Sequence, residues 1–309
     1  MLDARYRITS FSKPMSLSSI QYPVSRIQDQ RIIMKRVAII FNPEKGRAKI
    51  ELSKIKTWLI KRKCQVFTMP SSEARIEQHF DFALTLGGDG TMLKAGKMVS
   101  NIGIPVLGIN LGTLGFLAET DSTEVYDLLP DIIEGRFSTE DRMMLDVSIR
   151  SGKIIYKKQA LNDVVINSGN TGRIIKVAAK LDDEYLAEYA GDGVIIASPT
   201  GSTAYSLAAH GPIVHPHLSV FIITPICPHT LTQRPLIISS KHTLSFHVTG
   251  KNSPGKPVVS IDGQNNYPLD IGEEILVTSS SKLFKMIVNP KRKYLNVLRT
   301  KLKWGERIV

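Results

Sequence analysis

Phe82-Ala-Leu-Thr-Leu-Gly-Gly-Asp-Gly-Thr91 decides the fold class of this chain. Residues 82–86 form a short apolar run, read as a buried strand. Three glycines end it, and Met92–Ser100 carries helical character. A strand, a glycine turn and a helix in succession make one arm of a βαβ unit, and hence a parallel sheet. Upstream, Arg36-Val-Ala-Ile-Ile-Phe41 reads as another buried strand, closed by Asn42-Pro43. Glu51–Lys63 places Leu52, Ile55, Trp58 and Leu59 at helical spacing, an amphipathic helix with a lysine-rich wet face. Downstream, Ile104–Ile109 is a third strand. Glu124–Glu134 is a helix closed by Gly135, which Pro130 should kink or shorten.

After about residue 140 the hydrophobic period falls to two. Leu145, Val147 and Ile149 alternate, as do Ile175, Val177, Ala179 and Leu181, and then Leu244, Phe246 and Val248. Short strands without long helices between them indicate a β-rich unit. Helical spacing returns over Tyr294–Trp304, with Leu295, Leu298 and Leu302 on one side. The expectation is an N-terminal α/β domain with a parallel sheet (34–140) and a C-terminal β-rich, β-sandwich-like domain (141–284). The last segment (285–309) returns to the first domain through a terminal helix. Residues 1–33 lack periodicity and are expected to be a flexible N-terminal extension.

The chain has 309 residues, 42% hydrophobic and 22% charged, which excludes a disordered chain. Its two cysteines, Cys64 and Cys227, offer neither a disulfide framework nor a cysteine zinc site, and fit a reducing, cytoplasmic setting. No apolar stretch approaches the roughly 20 residues of a membrane span. The net charge of +12 is unevenly placed. Residues 1–36 hold seven Lys/Arg and two Asp, residues 281–309 hold nine Lys/Arg and one Glu, and the remainder is nearly neutral. Charge confined to the ends argues against a nucleic-acid partner, which would require it on a working face.

Neither a G-x-x-x-x-G-K-[ST] loop nor a G-x-G-x-x-G after a strand is present. The loop Gly87–Thr91 instead sits at the carboxyl end of a parallel strand, where open α/β sheets bind ligands. Its glycines let backbone N–H groups approach a phosphate, and the following helix adds a positive dipole end. A carboxylate within such a loop repels phosphate, so Asp89 must serve another purpose, as a general base, an outer ligand of Mg²⁺, or a cap on the next helix. A second constellation is Gly191-Asp-Gly-Val-Ile-Ile-Ala-Ser-Pro-Thr-Gly-Ser-Thr-Ala-Tyr-Ser206. Strand Val194–Ala197 feeds a loop whose hydroxyls, on Ser198, Thr200, Ser202 and Thr203, could serve a nucleotide. Tyr205 offers a flat face for a base, and a short helix is expected over Ala204–His210. A third is Asn162-Asp163, which could read a ribose diol or simply form a turn. His210, His215 and His217 lie in a proline-broken segment without interleaved carboxylates, so no protein metal site is expected.

Together these residues resemble the bacterial type of NAD kinase. The resemblance runs from Met34 to Val309 and includes Pro228-His-Thr-Leu231 and Val297-Leu-Arg-Thr-Lys301. The Gly87–Thr91 loop is shared with diacylglycerol kinases, sphingosine kinases and phosphofructokinases, whereas Ser198–Ser206 is far more specific. The resemblance implies transfer of the γ-phosphoryl of ATP, or of polyphosphate, to the 2′-hydroxyl of the adenosine ribose of NAD. It also implies a divalent metal such as Mg²⁺ carried with the ATP phosphates, and a homodimer or homotetramer. By the same resemblance Asp89 is the base, with Gly90 and Lys94 beside it. Asn162 and Asp163 hold the ribose and adenine side. Arg173, Asp192, Thr203, Ala204, Tyr205, Ser206, Leu207, Ala208 and Gln264 complete the dinucleotide pocket, residues near Asp192 reaching a neighbouring subunit's site. Asp163 stands where the family more often has Glu, Ala190 where a basic residue is common, and His210 where glycine is common. Two rival readings are a lipid kinase sharing the glycine loop and a non-catalytic NAD(P)-sensing module.

Overall fold

A computed structural model describes residues 34–72, 76–113, 115–118, 120–151, 154–169, 172–249 and 257–305. The expected N-terminal extension, residues 1–33, lies outside them. The first part contains β1 (Arg36–Phe41), α1 (Gly46–Lys61), β2 (Gln65–Pro70), β3 (Phe82–Gly87), α2 (Asp89–Val99), β4 (Val106–Asn110), β5 (Thr120–Asp121) and α3 (Val125–Ile133). There follow β6 (Thr139–Ser151), β7 (Ile154–Ala160), β8 (Asp163–Asn167), β9 (Ile175–Leu181), β10 (Glu184–Gly191), β11 (Gly193–Ala197) and the short α4 (Tyr205–Ala208). The chain ends with β12 (Val220–Ile226), β13 (Leu236–Ser239), β14 (Leu244–Thr249), β15 (Val258–Ile261), β16 (Asn265–Pro268), β17 (Glu274–Ile287) and α5 (Tyr294–Leu302).

Strands β1 to β4 pair in parallel, in the order β2-β1-β3-β4. The inner strands β1, β3 and β4 are buried on both faces, as their unbroken apolar runs require. One face packs on α2 through Met92, Ala95 and Met98, the other on α1 and α3 through Ile55, Leu59, Val125 and Leu129. Pro130 lies inside α3 without ending it.

The sheet does not stop at the α/β region. β17 runs parallel to β4 at Met286↔Val106 and antiparallel to β14 at Leu244↔Val277. One sheet therefore extends from β2 to β10. The boundary expected after residue 284 falls within β17. An antiparallel sheet of order β13-β12-β11-β8-β15-β16 faces it. Val164, Val194, Phe221 and Val259 from that sheet meet Leu145, Val177, Phe246 and Val277 from the other in one core, a sandwich arrangement. Pro225 is tolerated inside β12 because β13 pairs only with Val220–Ile223, which leaves the proline beyond β13's reach.

The terminal helix returns to the α/β region. Arg292 donates to Glu124 at 2.9 Å and Lys291 to Asp127 at 3.1 Å, both at or near α3. The buried face of α5 is Val297 and Leu298, whereas Leu295 is 56% exposed, so the expected leucine stripe is only partly the packed one.

Candidate active site

The glycine loop is the first turn of α2, with Gly88 as its N-cap residue. Asp89 does not cap that helix. Its Oδ2 accepts the N–H of Phe116 at 2.8 Å, and its Oδ1 accepts those of Leu117 and Ala118 at 3.0 and 3.1 Å. The carboxylate thus fastens the segment after β4 to the start of α2. A side chain at Gly115 would place its Cβ 1.9 Å from Asp89 Oδ1, so glycine there is a condition of this fastening. Of roughly four acceptor positions on a carboxylate, three are taken.

Gly88 and Gly90 tell a different story. A Cβ at either would meet open space, and neither has a positive φ. The protein itself therefore does not demand glycine there; they keep the loop bare toward a cleft of about 470 Å³. Asp89, Gly90, Lys94 and Gln264 line this cleft, together with Asn42, Lys45, Asn110, Gly112, Thr113, Gly115 and Lys301. Asn42 follows β1 and Asn110 ends β4, both at the carboxyl edge of the parallel strands, a position that could have marked them from sequence. Asn110 Oδ1 accepts the N–H of Gly112 at 2.9 Å and shapes the turn. Lys45, Lys94 and Lys301 give the cleft a positive charge.

Asn162 and Asp163 are not among the residues that line it but are tied to one that is. Gln264 Nε2 donates to the Gly90 carbonyl at 3.2 Å, and Gln264 belongs to the turn whose Asp262 accepts the N–H groups of Leu161, Asn162 and Asp163. Asp163 is 4% exposed. Burial, then the neighbouring Asp262 carboxylate, push its pKa up to about 7, against Lys97 and the Tyr205 N–H, which favour the charged form. A Cβ at Gly201 would fall 2.1 Å from the Asn162 carbonyl oxygen, so the 198–206 loop packs tightly on this pair.

The hydroxyls of that loop mostly turn inward. Ser198 donates to the Leu161 carbonyl, Ser202 to that of Pro199 at 2.7 Å, Thr203 to that of Thr200 at 3.3 Å, and Ser206 shares a bond with Thr224 at 2.9 Å. They shape the loop by satisfying its backbone. Thr200 Oγ1 is buried without a partner among the described residues. The helix expected over Ala204–His210 is confined to Tyr205–Ala208, including Ser206, Leu207 and Ala208, after a 3₁₀ turn at Thr200–Thr203 and the link Ala204. Tyr205 keeps 47% exposure and offers its ring. His210 has φ +63°, which explains why glycine suits that position.

Arg173 and Asp192 are not brought to the cleft. Asp192 precedes β11, whereas Asp163 pairs with Ala197 at its far end. At about 3.4 Å per residue, the strand separates them by roughly 15–20 Å. Ile175 pairs with Gly191, so Arg173 lies toward the Asp192 end. Among the described residues no three His, Cys, Asp or Glu gather as a metal site, and no helix is long and apolar enough to cross a membrane.

The ATP-NAD kinase N-terminal domain description matches residues 37–137, and the ATP-NAD kinase C-terminal domain description matches residues 161–289. The NAD kinase of Geotalea daltonii is 38% identical over 286 residues, covering 89% of this chain and 100% of that protein. That of Geobacter sulfurreducens is 39% identical over 290 residues with the same coverage. Among solved structures, yeast NADH kinase complexed with NADH aligns with TM-score 0.81 and 26% identity, covering 89% of both chains. An Archaeoglobus fulgidus NAD kinase in complex with ATP aligns with TM-score 0.70 and 25% identity, covering 87% of this chain and 98% of that one. The bare glycine loop, the lysine-lined cleft and the Asn162–Asp163 pair with its buried carboxylate thus occur in a chain that belongs to the ATP-NAD kinase family.

Proposed function

We propose that this protein transfers the γ-phosphoryl group of ATP to the 2′-hydroxyl of the adenosine ribose of NAD, giving NADP. The proposal stands on the convergence of the bare glycine turn and three lysines beside an amide–carboxylate pair, the half-buried Asn162 and the buried Asp163. Phosphoryl transfer needs alignment and charge neutralisation more than covalent help. The N–H groups at the start of α2 and the ammonium groups of Lys45, Lys94 and Lys301 supply neutralisation. Asn162 and Asp163 hold the sugar, and Tyr205 supports the base. Asp89 uses its remaining acceptor position to orient the hydroxyl and take its proton, worth roughly 10²–10⁴ in rate. A divalent ion such as Mg²⁺ supplies further phosphate neutralisation when it arrives with ATP; the chain provides no cluster of its own for it among the described residues.

Arg173 and Asp192 fit this reading as contributions to a second subunit's pocket, in a homodimer or homotetramer acting in the cytoplasm. A polar cleft with bare glycines suits a dinucleotide better than an acyl chain. The test is incubation with ATP or polyphosphate and, in turn, NAD, NADH and a diacylglycerol. Formation of NADP or NADPH supports the proposal. Phosphorylated lipid, or binding without turnover, refutes it.

A further inference from the structure

The site contains a second carboxylate that grips three consecutive N–H groups. Asp262 follows β15 in a turn with φ +51°, and Gly263 follows at φ +62°. A tight hairpin between β15 and β16 accounts for an Asp-Gly pair there, but not for what the side chain does. Its Oδ1 accepts the N–H groups of Asn162 at 2.8 Å and Asp163 at 3.1 Å, and its Oδ2 accepts that of Leu161 at 3.1 Å. Its own N–H donates to the Asp163 carbonyl at 2.9 Å. The side chain is wholly shielded from solvent, and Lys97 Nζ lies 3.0 Å from Oδ2 in an ionic contact rather than an aligned hydrogen bond. Lys97 stands on α2, the helix that begins with Asp89 and carries Lys94. Gln264, two residues after Asp262, reaches the Gly90 carbonyl.

We propose that Asp262 is a positioning residue for phosphoryl transfer. Its carboxylate locks the backbone of the Asn162–Asp163 pair and, through Lys97, ties that pair to the helix carrying Asp89. This rests on the assignment of Asn162 and Asp163 to the sugar of NAD. Asp262 touches neither substrate; it sets the separation between the group that holds the acceptor and the loop that holds the donor. A misplacement of about 1 Å between reacting groups can cost 10²-fold in rate. Removing either partner of the Lys97–Asp262 contact leaves a largely buried charge uncompensated, so the contact resists displacement of the elements it joins.

The same geometry gives a test that a purely structural role would not pass. The charged groups facing Asp163 are Asp262 from the β15–β16 turn and Lys97 from α2, with the Tyr205 N–H from α4 as a donor. Removing the Lys97 charge must raise the midpoint of Asp163 ionisation, and removing the Asp262 charge must lower it. Lys97→Met, Lys97→Arg and Asp262→Asn are compared with the unaltered protein. The readouts are Asp163 carboxyl titration by NMR in the free protein, and kcat and KM for NAD with ATP. The expected result is opposite displacement of the midpoint in Lys97→Met and Asp262→Asn. In Lys97→Met, assayed above its displaced midpoint so that Asp163 is ionised, kcat falls about tenfold or more, as for misaligned groups, with a smaller change in KM, and Lys97→Arg restores it. Midpoints that stay put or move together, or a kcat unchanged in Lys97→Met, overturn the proposal. If Asp262→Asn fails to fold, the Lys97 pair decides by the direction of its midpoint and its kcat. The NMR arm needs no turnover, so a protein with opposite displacements but no NADP formation keeps the Asp262–Lys97–Asp163 coupling and refutes only the assigned reaction.

Discussion

Replacing Asp163 by asparagine should make the protein more stable at pH 8 and worse at binding NAD. An aspartate ordinarily ionises near 3.8, whereas burial and the Asp262 charge move this one to about 7. Between those two pH values the folded protein holds a proton that the unfolded chain has released. Stability therefore falls as pH rises through this window, and above about 7 the folded state carries the full penalty of a buried charge. At 1.36 kcal/mol per pH step, that penalty has an upper limit of about 4 kcal/mol. Asparagine keeps the shape without the charge. Loss of the ionised acceptor for the ribose should weaken NAD binding by about ten- to a hundredfold, the worth of a charged hydrogen bond. The assay is urea denaturation of both proteins at pH 5 and pH 8, beside calorimetric titration with NAD. Asp163→Asn should gain at least about 1 kcal/mol on the unaltered protein between pH 5 and pH 8, a fraction of the limit just given. A stability difference that is flat with pH would show that Asp163 carries no buried-charge penalty, and an unchanged NAD dissociation constant would remove it from the ribose.

Three further outcomes are expected. Gly90→Ala should keep or slightly raise the melting temperature, since its Cβ meets open space within a helix, yet lower kcat/KM for ATP at least tenfold by crowding the phosphates; equal losses of both would show that the glycine serves the fold. Asp89→Asn should lower kcat by roughly 10²-fold and also lower the melting temperature, because its amide group opposes an N–H of the 116–118 segment; a variant that keeps more than about a tenth of kcat removes Asp89 as the base. Lys301→Met should raise KM for ATP several-fold with little change for NAD, measured by steady-state kinetics, and an unchanged KM for ATP would take α5 out of the donor site.

The elements that surround the cleft were legible because each carries its own periodic signal. β3 and α2 meet at the glycine loop, and the alternating residues of β6, β9 and β14 stand where their period of two puts them. β2 escaped notice because Gln65–Pro70 is an edge strand with no fully buried position. The continuity of the sheet was hidden in β17, where the register shifts between Ser279 and Leu283 and a polar run divides one strand into two apparent pieces. Ser198, Ser202 and Thr203 read as donors toward a ligand, but a hydroxyl in a tight loop also satisfies nearby backbone, and in this loop that competition won. The partners of Asp89 lie 27 to 29 residues away and those of Asp262 about 100, so no local pattern announces either grip.

Incubation of the protein with NAD, ATP and Mg²⁺, with the products separated and the dinucleotide examined by ³¹P and ¹H NMR, shows whether one hydroxyl of one acceptor is phosphorylated. The expected products are equal amounts of ADP and a dinucleotide bearing its new phosphate on the 2′ oxygen of the adenosine ribose. ADP formed without any phosphorylated dinucleotide, or a phosphate on another oxygen, would contradict the proposed transfer.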